Sequence, residues 1–315
     1  MRRREYVSLP APIIPFIRRY CYHAVLTFPD ITAFTDTPVH QTARYLCPVC
    51  HELLSAPVEA GDKTWRCING HSFDQARQGY LNLLLAQQRN SRAPGDTAEM
   101  VQARSDFLNA GYYQLLASTL CELLQPSAGE QNVLLDLGCG EGYYTRQMHT
   151  LGWGAVYGLD ISKPAILAAA RQSREIHWSV ASMRAIPLED ASVDAATCVF
   201  AYYQAEELLR VLKPQGRFLL LVAGPDHLLE LRQAIYPEVK EHDGDKALNL
   251  ALEHFTLLSD QKLHHELENL QGDALWQLLQ MTPHFWRAPP PVQEQVRNQV
   301  FEKMTVDVRL ILLRK

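Results

Sequence analysis

Three cysteines and one histidine have the residue types and the spacing of a metal site. Two residues separate Cys47 from Cys50; after a further sixteen residues come Cys67 and, four positions on, His71. Three thiolates and an imidazole complete a tetrahedral Zn²⁺ site and leave no open position for catalysis. A disulfide pair or a chance cluster is the alternative, and His51 is a rival fourth ligand. Because no secretory signal precedes the cysteines, the spacing predicts structural zinc.

A glycine-rich segment is the second chemical signal. After the apolar run 133–137 come Gly138, Gly140 and Gly142, with Glu141 between the last two. Glycines at such a place let the backbone pass close beneath a ligand at the start of a helix. Dinucleotide sites use Gly-x-Gly-x-x-Gly, and a carboxylate inside the loop would oppose a pyrophosphate but could pair with an aminium group. The segment therefore predicts S-adenosylmethionine, which has an amino-acid end and no phosphate.

An acid at the end of the next predicted strand supports this interpretation. The apolar run 155–159 ends in Asp160, 18 residues after Gly142. A carboxylate at that strand end is placed to accept hydrogen bonds from both ribose hydroxyls. A glycine-rich turn followed by a surface aspartate is the alternative.

The elements that must position these residues alternate in type. Predicted strands at 133–137, 155–160, 177–181, 193–200 and 217–223 are separated by helices at 164–171 and 205–212. This alternation predicts a parallel, doubly wound α/β sheet. Upstream, Asp96 stands three residues before Glu99, which predicts a helix start with a capping box. A polar loop, 87–95, precedes that helix, a second helix is predicted at 112–124, and a final strand at 305–313.

Composition excludes several classes of protein. The chain has 315 residues, 47% of them apolar, and a formal net charge of −5. It is not disordered as a whole, and no apolar run is long enough to cross a membrane. Residues 1–104 carry 12 basic and 9 acidic side chains, whereas 105–315 carry 18 and 26. Contact with a polyanion is therefore expected in the first third. No membrane association is expected, and the location predicted is cytoplasmic.

A set of motifs resembles one known family. The set consists of the zinc motif, Gly79–Leu84, Arg92–Met100, Asp136–Thr145, Gly224–Leu228 and Met281–Arg287. In combination they resemble the bacterial guanine-N1 methyltransferases of the A family, which act on a hairpin loop of 23S rRNA. The resemblance runs from about Leu46 to the C-terminus. It implies a class I S-adenosylmethionine-dependent methyltransferase fold with a seven-stranded sheet, a small N-terminal zinc-binding domain, and a homodimer with 23S rRNA as partner.

The resemblance also implies domains and site residues. The domains expected are an unassigned, disordered tail (1–44), a zinc-binding RNA-recognition domain (45–86), a linker with helices (87–130) and the methyltransferase domain (131–315). Zinc ligands would be Cys47, Cys50, Cys67 and His71. Tyr113, Gly140, Glu141 and His227 would surround the cofactor. From its position alone, Tyr113 could equally be a core aromatic, whereas His227 follows a strand end, the edge at which such sheets bind ligands.

Two features depart from the family. One is the tail, 1–44, which has no recognised counterpart; an over-called translation start would explain it. The other is the segment that faces the methyl acceptor, where the family tends to have Ala-Pro-Cys or Ala-Pro-Arg before Ala-Glu-Glu and this chain has Ala-Tyr-Tyr-Gln-Ala-Glu-Glu, with Tyr202 and Tyr203, over Ala201–Glu207. Their rings could stack on a flipped base or pack against the following helix. The catalytic base is not identified, and Tyr202, Tyr203 and His227 are candidates. A small-molecule methyltransferase and a non-catalytic zinc-containing RNA-binding relative are the alternative functions.

Overall fold

The computed structural model describes residues 45–59, 61–89, 91, 94–128, 131–239 and 245–315. The predicted tail, 1–44, lies outside the described residues. The strands are β1 (Leu54–Ser55), β2 (Thr64–Cys67), β3 (Ser72–Asp74), β4 (Leu81–Asn82), β5 (Val133–Leu137), β6 (Ala155–Asp160), β7 (His177–Val180), β8 (Val193–Val199), β9 (Leu212–Ala223), β10 (Thr256–Gln271) and β11 (Val300–Arg314). The helices are α1 (Ala98–Asn109), α2 (Gln114–Leu123), α3 (Tyr143–His149), α4 (Lys163–Gln172), α5 (Ala205–Val211), α6 (Leu229–Ile235), α7 (Lys246–Leu252), α8 (Gly272–Gln280), α9 (His284–Arg287) and α10 (Pro290–Arg297).

One large sheet organises the chain, with strand order β10-β11-β9-β8-β5-β6-β7-β4. Strands β4 to β9 in this sheet are parallel, and β11 pairs antiparallel with both β9 and β10. The predicted doubly wound α/β fold is confirmed, and an eighth, two-residue strand, β4, extends the expected seven. The direction in which successive strands are added to the sheet reverses between β5 and β8. The chain adds β6 and β7 on one side of β5 and then returns to add β8 on its other side. Ligands bind at the carboxyl ends of the strands at such a point.

Apolar residues cover both faces of this sheet, as buried parallel strands require. One face of β5 and β6 contributes Leu134 and Val156 to a core closed by the helices. The opposite face contributes Leu135 and Tyr157 to a second core. Because successive strand residues alternate in direction, the continuous apolar runs found in the sequence supply both cores at once.

The cysteine-rich segment forms a small antiparallel sheet of β1, β2 and β3 that packs on the second core. Tyr45 contacts both the Trp65 ring, with centroids 5.8 Å apart, and the Tyr157 ring, 5.6 Å away. Tyr45 also bridges to Leu188. Leu81 belongs to the apolar run that follows the small sheet, and it lies in β4, which is hydrogen-bonded to β7 of the large sheet. The small sheet is therefore attached to the large one by side-chain packing and by backbone pairing.

The start of α1 differs from the prediction by one residue. Thr97, not Asp96, caps the helix, and its hydroxyl accepts a hydrogen bond from the Met100 amide. The carboxylate of Asp96 pairs with Arg104 instead. Threonine and aspartate are both favoured N-cap residues, so the sequence did not distinguish the two positions. Among the described residues, no helix is long and apolar enough to span a bilayer.

Candidate cofactor and metal sites

The four predicted zinc ligands converge. The ligand atoms of Cys47, Cys50, Cys67 and His71 all lie within 4.8 Å of one another. The sulfurs of Cys50 and Cys67 are 3.6 Å apart, and Nδ1 of His71 is 3.4 Å from the Cys67 sulfur. Sulfurs bound to one tetrahedral Zn²⁺ at about 2.3 Å are separated by about 3.8 Å. The donor set and its spacing fit a structural zinc ion, and the three thiols are free, so the disulfide alternative is wrong.

Two tight turns give the cluster its geometry. Gly70, at φ +84°, lets the chain reverse between Cys67 and His71, and its amide donates to the Cys67 carbonyl at 3.0 Å. His51 has φ +62° and an exposed side chain outside the cluster, which removes the rival fourth ligand. The side chain of Asn69 lowers the pKa of Cys50 to about 6, so this sulfur is a thiolate at neutral pH and is ready to bind a metal.

The glycine loop connects β5 to α3, as predicted. A Cβ on Gly138 would lie 2.6 Å from the Cβ of Ala201, and one on Gly142 would lie 2.5 Å from the Trp178 ring. Both glycines also have positive φ, so a side chain is excluded at each by conformation and by space. The loop is consequently pressed between the end of β8 on one side and the β7 tryptophan on the other.

Asp160 holds the loop in this position. Its two carboxylate oxygens accept hydrogen bonds from the Gly140 amide, at 3.0 Å, and from the Ser162 amide, at 2.7 Å. Burial raises the pKa of Asp160, and these two amides oppose that shift. Each carboxylate oxygen keeps a second lone pair, so the acid can still accept from ribose hydroxyls. The ribose contact therefore stays a prediction.

Glu141 is buried beside two arginines. Only 1% of Glu141 is exposed, and burial raises the pKa of its carboxyl, whereas the charge of Arg104 and then that of Arg146 lower it. Arg104 is a residue that the sequence interpretation missed. It pairs with Asp96, donates to the Met281 carbonyl at 3.1 Å, and places Nη1 3.7 Å from where a Gly140 Cβ would be. A cation thus lies directly in front of the glycine loop.

Asp136, inside β5, was also missed. It is buried and accepts hydrogen bonds from the hydroxyls of Thr145 in α3, at 2.5 Å, and Thr197 in β8, at 2.8 Å. Burial raises its pKa to about 6. The side chain fastens the loop to the helix that follows it and to the neighbouring strand. Its signal in the sequence was a carboxylate in an otherwise apolar buried strand, which is rare without a specific partner.

Tyr113 and His227 meet near the carboxyl end of β8. Their rings are 6.4 Å apart, and each lies close to Phe200, the residue that follows β8. The Tyr113 hydroxyl and the His227 Nδ1 are buried, and neither finds a hydrogen-bond partner among the described residues. The buried hydroxyl of Tyr144 also has no hydrogen-bond partner among the described residues. Unpaired buried polar atoms are costly, so three of them around one site fit a polar ligand.

Burial also sets the charge of His227. Removal from water lowers the pKa of the imidazole to about 4, although the nearby Asp307 carboxylate opposes the shift. The ring is therefore neutral at physiological pH, and Nδ1 is free to act as a donor or an acceptor according to the tautomer. A neutral imidazole can hydrogen-bond a ligand without adding charge to the pocket.

The two tyrosines of the departing segment behave differently from each other. Tyr203 is half-buried and packs edge-on against Phe218, with ring centroids 4.9 Å apart. Tyr202 is 63% exposed, and its hydroxyl donates to the Gln204 side chain at 3.0 Å. The contact with Phe218 therefore accounts for Tyr203. In the ring contacts described for this region, neither Tyr202 nor Tyr203 lies against Tyr113 or His227.

Comparison with known proteins gives similarity along most of the chain. Residues 45–92 match a family described as RlmA, N-terminal, and residues 135–220 match a methyltransferase domain. A Streptomyces fradiae protein named 23S rRNA (guanine(748)-N(1))-methyltransferase is 35% identical over 253 residues, covering 78% of this chain and 88% of that protein. A Bacillus subtilis protein provisionally named for the same reaction class, YxjB, is 30% identical over 279 residues, 85% and 96% of the two chains. The solved YcgJ protein of Bacillus subtilis has a TM-score of 0.46 at 20% identity, covering 63% of this chain and 97% of that one.

Proposed function

Because the chain belongs to the family of 23S rRNA (guanine-N1) methyltransferases, we propose that it transfers a methyl group from S-adenosylmethionine to N1 of a guanine in a hairpin loop of 23S rRNA. The observation that carries this proposal is the 35% identity to the Streptomyces fradiae enzyme over 253 residues. The matched families include both a zinc ribbon and a methyltransferase domain. A small-molecule methyltransferase would leave the zinc ribbon without a role.

Zinc is held, in this proposal, by Cys47, Cys50, Cys67 and His71, and it is structural. The converging donor atoms support this assignment. The small sheet around them buries Trp65 but has only short strands, so a metal supplies the stability that so small a core lacks. Exposed Lys63 and Arg77 on the same segment supply positive charge for an RNA backbone, whereas Arg66 forms an ion pair with Asp62.

The cofactor site comprises the glycine loop and the side chains around it. We assign to it Tyr113, Gly138, Gly140, Glu141, Gly142, Asp160 and His227, and add Arg104. In this proposal Asp160 accepts hydrogen bonds from the ribose hydroxyls, and Glu141 pairs with the cationic amino group. Arg104 lies in front of Gly140, and we assign it to the cofactor carboxylate in addition to its ion pair with Asp96. Bound S-adenosylmethionine supplies a methyl group already activated by its sulfonium.

The chain's own contribution to methyl transfer is then mainly positioning. An in-line displacement needs the guanine N1 held against the sulfonium methyl, and water excluded from the path. Guanine N1 carries a proton that must leave. A histidine with a pKa of about 4 is a weak base, so His227 is suited to accept a hydrogen bond from the base and not to hold its proton. The acceptor of that proton is not assigned.

Partner, assembly and location follow from the family resemblance. The proposed partners are 23S rRNA and a second copy of this chain, giving a homodimer, and the proposed location is the cytoplasm. The homodimer is tested by sedimentation of the purified chain, in which a monomer at micromolar concentration would contradict it.

The reaction is tested by primer extension. The purified protein is incubated with S-adenosylmethionine and unmodified 23S rRNA, and reverse transcription then reports methylated N1 atoms as stops, because N1 methylation blocks base pairing. A stop at a hairpin-loop guanine, absent without cofactor, is expected. RNA binding with no stop anywhere would favour the non-catalytic relative, and methylation of the ribose or another base would also refute the proposal.

A further inference from the structure

Phe200 has a backbone conformation that bulky residues avoid. It follows β8 directly and has φ +51°, in the left-handed region. Its amide donates to the Leu221 carbonyl of β9 at 3.0 Å, which holds the strained residue at the sheet edge. Strain of this kind persists only where the surroundings impose it, and it concentrates at functional sites. The conformation turns the chain just where the sheet reverses its strand order.

The Phe200 ring is stacked on His227, also contacts Tyr113, and is partly open to solvent. Its centroid is 5.3 Å from that of His227, with 28° between the planes, and 6.3 Å from that of Tyr113. Even so, 41% of the residue is exposed. A large aromatic packed against the buried Tyr113 and the half-buried His227, yet partly in water, offers a surface for another flat ring.

The position of Phe200 relative to the glycine loop is fixed by its neighbour. Ala201 contacts Gly138 so closely that a Cβ on the glycine would clash with the alanine Cβ at 2.6 Å. Phe200 is therefore next to the loop that the proposed function assigns to the cofactor. The unpaired Tyr113 hydroxyl and His227 Nδ1 belong to the two rings that Phe200 contacts. Flat ring surface and hydrogen-bonding atoms occur together at this point.

We propose that Phe200 is the platform on which the target guanine stacks during methyl transfer. The proposal rests on the proposed function and names its base-binding residue. The alternatives are weaker, because Tyr203 is engaged with Phe218 and Tyr202 is bonded to Gln204. A guanine on the exposed face of Phe200 would continue the stack that the His227 ring begins on the other face.

The test compares three substitutions of Phe200 in the full-length protein. Phe200→Tyr keeps a ring, Phe200→Leu keeps an apolar side chain without one, and Phe200→Gly removes both the ring and the backbone strain. Loss of one base–aromatic stack weakens binding by about 5- to 150-fold. We expect the leucine and glycine variants to raise KM for the RNA, or lower kcat/KM, within that range. The tyrosine variant is expected to stay within about threefold of the wild type.

Two further measurements separate stacking from stability and from cofactor binding. S-adenosylhomocysteine affinity, measured by calorimetry, is expected to be unchanged in all three variants, and the glycine variant is expected to have a Tm no lower than the leucine variant. Phe301→Leu, the same change at a half-buried residue of the β10–β11 hairpin, serves as the matched control and should methylate normally.

Several outcomes would overturn the inference. Wild-type RNA kinetics in the leucine variant would do so, and so would a loss confined to cofactor affinity, which would place Phe200 against the cofactor. Failure of tyrosine to rescue would also count against stacking. If the wild-type enzyme itself leaves no stop on 23S rRNA while binding the cofactor, the proposed function fails and the inference fails with it.

Discussion

Protonation of His227 should cost the folded protein stability, and the size of the effect can be worked out. The pKa is about 4 in the folded chain, against about 6.5 for an ordinary histidine. The unfolded state therefore binds more protons between these two values, and stability must fall as the pH drops below 6.5. Between pH 7 and pH 5 this linkage amounts to about 2 kcal/mol.

The measurement is a difference between wild type and His227→Gln. Urea unfolding at half-unit steps from pH 7 to pH 5 gives the free energy of unfolding of each protein. Asp136 acts in the opposite direction, because a carboxyl with a raised pKa loses stability as the pH rises from about 4 to about 6. Its contribution is present in both proteins and cancels in the difference. The wild type should lose about 2 kcal/mol relative to the variant on going from pH 7 to pH 5.

A control and a refuting result complete the design. His254→Gln, the same change at an exposed histidine after α7, is the matched control. If the difference between the wild type and His227→Gln stays constant within about 0.5 kcal/mol across the range, His227 is not held neutral by burial, and its role as a neutral hydrogen-bonding group is wrong.

Three other predictions concern the loop, the metal and the cofactor. Asp136→Asn should remove the stability that this carboxyl loses as the pH rises from 4 to about 6, measured as the difference from the wild type in urea unfolding extended to pH 4; a difference that stays constant over this range would contradict it. Removing zinc with a chelator should lower the Tm and shift the fluorescence emission of the buried Trp65, which is assigned by comparison with Trp65→Phe. S-adenosylhomocysteine should still bind; loss of cofactor binding together with the fold of the zinc segment would contradict the split into two domains. Arg104→Gln should weaken the binding of S-adenosylhomocysteine about 10-fold or more. It should not change the binding of 5′-methylthioadenosine, which lacks the carboxylate, and equal effects on both ligands would exclude a carboxylate contact. Arg171→Gln, at an exposed arginine, is the control.

The sequence predicted what depends on local spacing. The zinc cluster needs only two short motifs, and the glycine loop with Asp160 needs one β-α-β unit, so these groups could be assigned before the structure was known. Arg104 could not, because its contact with the Met281 carbonyl joins residues far apart in the chain. The strain at Phe200 was equally hidden, since a positive φ at a phenylalanine follows from the strands around it and not from the residue type.

Strand β4 affects the order in which the chain can fold. It pairs in parallel with β7, so Leu81 cannot join the large sheet until Ser179 has been synthesised. The bridge between Tyr45 and Leu188 can form only after Leu188 has been synthesised, which is later still. During translation the zinc segment can bind its metal early, but its outer apolar surface must stay uncovered until most of the parallel sheet has emerged. Parallel pairing across such distances is slow, so the nascent chain carries an exposed hydrophobic module through much of its synthesis.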